Sequence, residues 1–427
     1  MQSQLFTIIL LGLGLILFDQ YLFGGFVAAF KKTRWANHPL FKIAYTLFSL
    51  VLITGTICSI YLNLPVGVRA GFLMLFFVLM VVKVTFFFFV VADDIRRISI
   101  HSKKVSPQKK AVPATAKADN MPRSEFLMRA GLIAGAVPLA SIGIGIVAGA
   151  YDYRIRKQNL YLPNLPKAFD GMTVGQISDV HSGSFYNKKA VVGGIDMLLG
   201  QKPDVIFFTG DLVNERSEEM NGYQDVFSKV KAPLGVYSIF GNHDYGDYYK
   251  KWPSPAHKAK NLQDLVVTHK NMGWDLLRNE NRRLKVNGEE IAILGCENWG
   301  ELTRFPKYGK MEPTLKGTEE LPVRLLLSHD PSHWQTEILP HYPQIDAMFS
   351  GHTHGMQFGV RAEHFQWSPV EYVYKEWAGL YHEKHQQLYV NVGYGFLGFP
   401  GGLEYCRRLR YLRYGLPMTL YCKKVNH

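Results

Sequence analysis

The sequence has 427 residues, of which 47% are hydrophobic and 13% aromatic, and this composition excludes an intrinsically disordered chain. A chain of this length has room for two or three domains and can bury a large core without disulfide bonds. The net charge is +13, and the four cysteines show no C-x-x-C spacing, which excludes a zinc knuckle and a thioredoxin-type motif.

The positive charge is concentrated in the first third of the chain. Residues 1–150 contain 15 lysines and arginines against 5 acidic residues, whereas residues 151–427 contain 33 against 30. A basic protein commonly binds nucleic acid. Here the surplus lies between long apolar segments, where it indicates membrane topology instead, so no nucleic-acid partner is expected.

Four apolar segments predict a membrane region. Residues 6–30, 43–62 and 70–92 each provide the ~20 residues that cross a bilayer, and their two charged residues are Asp19 and Lys83. Residues 131–150 are uncharged and rich in glycine and alanine, which favours close helix packing in lipid. A buried soluble helix or a cleaved signal segment is the alternative for this fourth segment.

Asp19 and Lys83 allow two interpretations. They could form a functional pair inside the bundle, or one could lie near the membrane interface while the other faces neighbouring helices. The second interpretation is favoured, and no chemistry is assigned to either residue.

The loops between the predicted spans indicate the orientation. If the N-terminus is outside, the inside loops 31–42 and 93–129 contain 13 lysines and arginines, whereas the outside loop 63–69 contains Arg69 alone. Positive charge marks the cytoplasmic side. Residues 1–150 are therefore expected to anchor the chain, with a cytoplasmic linker at about 93–129, and residues 160–427 are expected to form an extracytoplasmic domain.

Five β-rich segments in the second part of the chain end in residue types that bind metals. Strands are predicted at residues 172–177, 205–208, 236–240, 324–327 and 347–349. They lead into Ser178-Asp179-Val180-His181, Gly210-Asp211, Gly241-Asn242-His243-Asp244, Ser328-His329-Asp330-Pro331 and Gly351-His352-Thr353-His354. One such motif is typical of a turn, but five strand ends that carry Asp, Asn or His predict a shared metal or catalytic site.

This ordered set of motifs resembles the calcineurin-like metallophosphoesterase superfamily over residues 165–425. The membrane region ahead of it and the Ser-His-Asp-Pro segment are similar to a bacterial branch that includes membrane-associated phosphodiesterases and UDP-2,3-diacylglucosamine hydrolases. The resemblance implies an α/β fold, a four-layer α-β-β-α sandwich, preceded by an all-α transmembrane region in a bacterial cell membrane. It also implies two divalent metal ions drawn from Mn, Fe, Zn and Mg.

The resemblance assigns seven side chains to the metals. By this assignment Asp179, His181 and His354 hold one ion, Asn242, His329 and His352 hold the second, and Asp211 bridges them. Two ions that share a carboxylate can activate a water molecule and neutralise phosphoryl oxygens during in-line attack.

His243 follows the proposed ligand Asn242 and is the expected general acid for the leaving-group oxygen. Many family members carry an acidic residue three positions after the bridging aspartate, where it orients this histidine, but this chain has Asn214 there. An amide oxygen accepts from the ring N–H without adding negative charge, so a lower pKa of the imidazolium is expected. Asp244 either helps to position substrate or imidazole, or caps the turn.

Two other segments leave alternatives open. Residues 245–252 are rich in tyrosine and lysine and precede a helical stretch near 261–272, so they form either a lid over the substrate or an ordinary packed crossover. Residues 405–414 contain four arginines interleaved with aromatic residues. They either bind anionic phospholipid or phosphate, or form an edge strand with a solvated basic face, and the second is favoured.

The expected function is metal-dependent hydrolysis of a phosphodiester or pyrophosphate, with a membrane-borne or lipid-linked substrate favoured. One alternative is a non-catalytic membrane sensor or scaffold that retains the fold. Another is a phosphoprotein phosphatase or nuclease with the same centre, although residues 151–427 offer no broad cationic track. The nucleotide-sugar lipid hydrolases of the superfamily act in the cytoplasm, so their substrate does not transfer to a domain predicted outside.

Overall fold

Residues 1–144 and 145–427 form two compact units in the computed structural model. The structure describes residues 2–62, 64, 66–103, 123–148, 151, 153–357, 360–361, 366–397 and 408–414. The first unit is helical, and the second contains every strand of the described chain.

Residues 2–148 contain four long helices: α1 (Gln2–Ala29), α2 (Pro39–Tyr61), α3 (Val66–Lys103) and α4 (Arg123–Ala148). Within the described residues, Ile8–Ala29, Pro39–Tyr61 and Gly71–Ile100 are long and apolar enough to cross a membrane, in agreement with the first three predicted spans. Helix α4 covers most of the fourth predicted segment, but the side chains of residues 141–150 lie outside the described part, so the fourth span stays a prediction.

The predicted linker at 93–129 is helical at both ends. Helix α3 continues to Lys103 and α4 begins at Arg123, while residues 104–122 lie outside the described chain. Near the end of α3, Asp93 binds Arg96 and Arg97 at 2.6 and 2.8 Å. The basic residues at this end of the helix are therefore partly neutralised by an acidic neighbour.

An ion pair joins two of the apolar helices. Lys83 Nζ on α3 lies 2.8 Å from Asp19 Oδ1 on α1, and both side chains are largely buried. This arrangement differs from the expectation that the two charges occupy separate environments. Pairing offsets much of the cost of placing each charge among apolar helices, which explains how both are tolerated in otherwise uncharged segments.

The second unit contains fourteen described strands and five further helices. The strands are β1 (Arg154–Leu160), β2 (Thr173–Ile177), β3 (Val205–Phe208), β4 (Val236–Ser238), β5 (Asp275–Leu276), β6 (Glu280–Val286), β7 (Glu289–Gly295), β8 (Arg324–Leu327), β9 (Ala347–Ser350), β10 (Val360–Arg361), β11 (Gln366–Trp367), β12 (Gly379–Glu383), β13 (Gln386–Val390) and β14 (Arg408–Tyr414). The helices are α5 (Lys188–Leu199), α6 (Gln224–Phe227), α7 (Pro255–Met272), α8 (Met311–Leu315) and α9 (Leu339–His341).

Two six-stranded sheets pack face to face in this unit. The first has the order β1-β14-β2-β3-β4-β5 and the second β12-β13-β9-β8-β7-β6, while β10 and β11 form a separate hairpin. Strands β2 to β5 run parallel in the first sheet, and β13, β9, β8 and β7 run parallel in the second. All five predicted strands are present within these parallel sets.

Alternating side chains build three apolar layers. Leu325 and Leu327 of β8 pack between the sheets, whereas Leu326 faces the side of α8. In the first sheet, Phe207 packs between the sheets and Phe208 packs against α5, α6 and α7. Because successive residues of a strand point to opposite faces, these runs bury both sides of each sheet. The result is the predicted four-layer α-β-β-α sandwich.

The arginine-rich segment near residue 410 is not an edge strand. Residues 408–414 form β14, which pairs with β1 on one side and β2 on the other. The edge position is taken by β1, the strand that follows the membrane helices. The expectation of an edge strand was wrong because a strand distant in sequence pairs with β14 and covers it. The side chains of residues 405–414 lie outside the described part of the chain.

His269 of α7 should make stability depend on pH. Its ring is fully buried against Phe208, Phe240 and Trp274, with Nδ1 2.9 Å from Ser238 Oγ. Burial lowers the pKa of His269 to about 3. An unfolded histidine has a pKa near ~6.5, so below that pH the unfolded state binds a proton that the folded state excludes, and stability falls by about 1.4 kcal/mol per pH unit.

The variant His269→Gln is expected to reduce the fall of the thermal unfolding midpoint between pH 7 and pH 5. The exposed His257 lies in the first turn of the same helix, and His257→Gln serves as the matched control with the wild-type pH dependence. An unchanged pH dependence in His269→Gln would contradict the assignment.

Candidate metal centre

The loops that follow parallel strands of both sheets meet at one edge of the sandwich. Their main chains interlock: Asp179 N donates to Gly210 O at 2.8 Å, and Gly351 N donates to His329 O at 2.9 Å. The loop after β13 closes the arrangement, since Tyr394 N donates to the main chain after β2 at 2.7 Å. Binding groups of α/β sheets gather at this edge because the carboxyl ends of parallel strands point there.

Two glycines allow the loops to approach each other. A Cβ atom on Gly241 would lie 2.2 Å from Asp211 Oδ1, and one on Gly351 would lie 2.1 Å from Asp179 Oδ2. No side chain fits at either position without moving a carboxylate. The glycines of the Gly-Asn-His-Asp and Gly-His-Thr-His motifs are therefore required by packing around the two acids.

Five of the seven predicted ligands have a left-handed backbone. Their φ angles lie between +48° and +73°: Asp179, His181, Asp211, His352 and His354. Residues with a side chain adopt this region rarely, at a cost of about 1–3 kcal/mol each, and such strain concentrates at functional sites. The surrounding hydrogen bonds hold the ligands in a conformation that they would not adopt alone.

The first proposed ligand group lies on the β2, β3 and β9 loops. His354 Nε2 is 3.2 Å from Asp179 Oδ1 and 2.9 Å from His181 Nε2. His181 Nε2 is in turn 3.5 Å from Asp211 Oδ2. Asp179, His181 and His354 together offer ligand atoms within 4.8 Å of one another.

The second group shares Asp211 with the first. His329 Nε2 lies 3.1 Å from Asp211 Oδ2 and 3.3 Å from His352 Nδ1. His352 Nδ1 is also 2.8 Å from Asn242 Oδ1. The structure thus brings all seven predicted side chains together, with Asp211 between the two groups.

The donor atoms fit divalent cations. Metal bonds of about 2.1 Å to oxygen or imidazole nitrogen place adjacent ligand atoms about 3 Å apart, which matches the spacing in both groups. Carboxylate, amide and imidazole donors together suit Mn, Fe, Zn or Mg. Five of the seven side chains are buried, and those of His352 and His354 are 8% and 9% exposed, so a cation there would replace water with protein ligands.

The electrostatics of the centre favour positive charge. Although burial opposes ionisation, His329 and His243 hold the pKa of Asp211 well below its usual range. Burial would lower the pKa of His329, but the adjacent Asp211 raises it to about 10. Burial also holds the pKa of His181 well below its usual range, so that this ring stays neutral and its lone pair remains available.

Outer contacts of His329 and His352 select which nitrogen of each ring faces the centre. His329 Nδ1 donates to Thr209 O at 2.7 Å, so that Nε2 is the nitrogen that faces the centre and can exchange its proton for a cation. His352 Nε2 lies 2.9 Å from Tyr374 Oη and 3.4 Å from Asp330 Oδ2, while Nδ1 faces the centre. Such contacts fix the tautomer and orientation of metal-binding imidazoles.

Sequence reasoning did not identify Tyr374 or assign a role to Asp330. Asp330 stands inside the Ser-His-Asp-Pro motif, so its position next to His329 was a usable signal. Tyr374 lies in a segment without any recognised motif, and its place beside His352 arises from the tertiary fold alone.

The variant Asp330→Asn should weaken metal binding by about 10–100-fold, the usual cost of losing an outer contact of a ligand histidine. Asp330 is fully buried and its Oδ1 accepts from Ser332 N at 2.9 Å, so asparagine preserves the shape while removing the charge that faces His352. Titration of the metal-stripped protein with Mn²⁺ measures the change. The control Asp346→Asn alters a buried carboxylate that binds Arg324 N, away from the centre. Equal Mn²⁺ affinity in Asp330→Asn and wild type would refute this role.

His243 lies beside the first ligand group. Its ring centroid is 4.9 Å from that of His181, and Nδ1 donates to Asn214 O at 2.6 Å. The expected contact to Asn214 is thus made by the main-chain carbonyl, because the side-chain amide binds Ser184 Oγ at 3.0 Å. With Nδ1 held by a carbonyl, Nε2 is the nitrogen that can transfer a proton to a substrate.

Asp244 holds the loop that carries Asp211. Its buried carboxylate accepts from the main-chain nitrogens of Asp211, Leu212, Val213 and Gly241 at 2.8–3.3 Å. Of the two expectations, this arrangement favours the turn-capping one. Asp244 thereby fixes the position of the proposed bridging carboxylate.

The loop at residues 245–252 and the helix that follows it agree with different alternatives, a segment beside the substrate site and a packed crossover. Tyr248 Oη accepts from Asn242 Nδ2 at 3.0 Å, and its ring centroid is 4.6 Å from that of His243. Helix α7 buries Leu265 and Met272 against the first sheet. The tyrosine loop therefore borders the centre, while the helix is a packed crossover.

Comparisons with known proteins agree with this architecture. Residues 3–150 match the family described as "Probable Calcineurin-like phosphoesterase, transmembrane domain", and residues 172–356 match the calcineurin-like phosphoesterase family. A transmembrane protein with metallophosphoesterase domain from Danio rerio is 26% identical over 60% of this chain and 56% of its own length.

Two other relatives are also named metallophosphoesterases. A metallophosphoesterase from Caenorhabditis elegans is 23% identical over 60% of this chain and 52% of its own length. An uncharacterized metallophosphoesterase from Bacillus subtilis is 28% identical over 66% of this chain and 93% of its own length. The chain spans about half the length of the two animal relatives.

Proposed function

We propose that this chain, which matches the family models of the calcineurin-like phosphoesterases and of their transmembrane domain, is a phosphoric ester hydrolase that cleaves a phosphodiester or pyrophosphate at a two-cation centre. The observation that carries this proposal is the convergence of six side chains around Asp211, whose Oδ2 lies within 3.5 Å of histidines from both ligand groups.

In this proposal Asp179, His181 and His354 hold one cation, Asn242, His329 and His352 hold the other, and Asp211 contacts both. The contacts at Thr209 and Tyr374 support these roles because they turn Nε2 of His329 and Nδ1 of His352 toward the centre. When bound, the two cations would supply an activated water and neutralise the phosphoryl group.

Other residues of the chain are proposed to assist the departure of the leaving group. His243 is proposed to protonate the departing oxygen through Nε2, because its Nδ1 proton is held by the Asn214 carbonyl. Tyr248 packs against this ring and limits its rotation. Asp244 keeps the Asp211 loop in place through four main-chain hydrogen bonds.

We also propose that the hydrolase domain lies outside the cytoplasm and acts on a membrane-borne substrate. Thirteen basic residues in the predicted inside loops against one outside support this orientation. Tethering raises the concentration of the enzyme at the bilayer, which favours a lipid-linked phosphoester. Activity of a periplasmic reporter fused after residue 427 is expected, and activity of a cytoplasmic reporter instead would reverse the orientation.

Hydrolysis of bis(p-nitrophenyl) phosphate by the detergent-solubilised full chain tests the catalytic proposal. We expect release of p-nitrophenol that requires Mn²⁺, Fe²⁺, Zn²⁺ or Mg²⁺ and stops when a chelator is added. DNA and a phosphoserine peptide in parallel reactions are expected to be poor substrates. A chain that is inert toward every phosphoester with each metal would refute the proposed function.

A further inference from the structure

Two loops border the centre and are fastened to each other. One loop follows β4 and contains Tyr245, Asp247 and Tyr248, and the other connects β7 to α8. Tyr308 Oη donates to Asp247 Oδ2 at 3.0 Å, and Asn298 N donates to Tyr245 Oη at 3.1 Å. These bonds fix the second loop relative to the residues that surround the ligands.

The second loop is also held from within. Asn298 Nδ2 donates to Pro306 O at 2.8 Å, and Glu301 N donates to Ser332 Oγ at 2.9 Å. Between these anchors stand Arg304 and Phe305. The loop therefore presents this pair in a defined position without help from a ligand, which lowers the entropic cost of binding.

Phe305 contacts the proposed ligand His352, and Arg304 lies against Phe305. The Phe305 ring meets the His352 ring edge-on, with centroids 4.6 Å apart, and Arg304 Cζ lies 4.7 Å from the Phe305 centroid. Phe305 thus forms an apolar wall beside the centre, and the guanidinium of Arg304 lies against that wall.

The guanidinium has no acidic partner within the described residues. Arg304 is exposed and makes no ion pair with the carboxylates of the described ranges, whereas Arg278, Arg282 and Arg283 all do.

A free, pre-positioned guanidinium beside a phosphoryl site has a specific chemical use. The two-cation centre would neutralise the phosphoryl group that is cleaved. A guanidinium presents a planar fork of donors that matches the oxygens of another phosphoryl group. A simple diester has no second anionic group for this fork, whereas a pyrophosphate ester has one.

We propose that Arg304 binds the second phosphoryl group of the substrate, so that the site prefers pyrophosphate esters to simple phosphodiesters. This inference rests on the proposed function and narrows its substrate class. The same chemistry occurs in soluble nucleotides and in lipids, and the test includes one of each.

The experiment compares three substrates in the full-length, detergent-solubilised protein: bis(p-nitrophenyl) phosphate, the soluble pyrophosphate ADP-ribose and the lipid pyrophosphate CDP-diacylglycerol in mixed micelles. Arg304→Ala is expected to raise KM for at least one pyrophosphate by about 10–100-fold, the effect of a charge-assisted hydrogen bond. The KM for bis(p-nitrophenyl) phosphate should stay within about 2-fold of wild type. Arg304→Lys should recover part of the loss because it keeps the charge without the fork.

Lys307→Gln is the matched control, since it removes a cation from the same loop. In the wild type, Lys307 Nζ lies 4.1 Å from the Trp299 ring centroid. Its KM values should equal those of the wild type. Unchanged metal content and unfolding midpoint in Arg304→Ala show that the fold is intact. A rise in KM for ADP-ribose in Arg304→Ala indicates a soluble pyrophosphate substrate. A rise in KM for CDP-diacylglycerol indicates a lipid pyrophosphate substrate.

Three results would overturn the inference: equal KM changes for diester and pyrophosphates, no change for any substrate, or a wild type that cleaves the diester and neither pyrophosphate. In these cases the proposed hydrolase function stands. A wild type that cleaves nothing overturns both.

Discussion

Replacement of Asp211 by asparagine should lower kcat by about 10³-fold or more and reduce the bound metal, because each cation loses a shared anionic ligand. Asp211 Oδ2 lies 3.1 Å from His329 Nε2 and 3.5 Å from His181 Nε2, so one oxygen serves both ligand groups. Its other oxygen accepts from His243 N at 2.9 Å, a contact that an amide oxygen can keep. The substitution therefore removes charge with little change of shape.

Two measurements check this expectation: steady-state hydrolysis of bis(p-nitrophenyl) phosphate and metal content by atomic absorption. Asp225→Asn is the control, because Asp225 is an exposed carboxylate on α6 that binds Lys188 away from the centre. Wild-type rate and metal content in Asp211→Asn would show that the carboxylate does not bridge two cations.

Replacement of His243 should lower kcat by about 10²–10⁴-fold, the usual contribution of a general acid. His243→Gln keeps a polar side chain next to Tyr248 but removes the proton that the ring delivers through Nε2. The loss should be largest for alkyl phosphodiesters, whose departing oxygen needs a proton, and smallest for p-nitrophenyl esters, whose leaving group is stable as an anion.

The dependence on leaving group separates this role from a structural one. A general defect of the centre would lower the rates of alkyl and p-nitrophenyl esters by the same factor. Metal content should equal that of the wild type, since His243 is not among the proposed ligands. A uniform loss across both ester types would argue against proton donation by His243.

Local patterns in the sequence predicted the strands and the residue types that follow them. Runs such as Val205–Phe208 are apolar at every position because both faces of the parallel sheets are covered, and a polar motif marks the end of each run. The seven proposed ligands could be selected for the same reason, because they occupy the residues just after those strands.

Contacts between distant segments could not be predicted in this way. The side chain of Asn214 was expected to hold His243, but the main-chain carbonyl makes this contact while Ser184 takes the amide. Tyr374 and Phe305 reach His352 from loops without a recognisable motif. Asp19 and Lys83 pair across helices whose relative packing is not encoded in either segment alone.

The pairing of β14 with β1 imposes an order on the assembly of the second unit. Arg154 of β1 pairs with Arg408 of β14, and Arg410 of β14 pairs with Gln176 of β2. The ribosome therefore makes β1 long before the strand that joins it to its sheet, and sheets built from such distant partners form slowly. Until residues 408–414 are synthesised, the edge of β2 that pairs with β14 has unpaired main-chain groups, to which chaperones or other chains can bind.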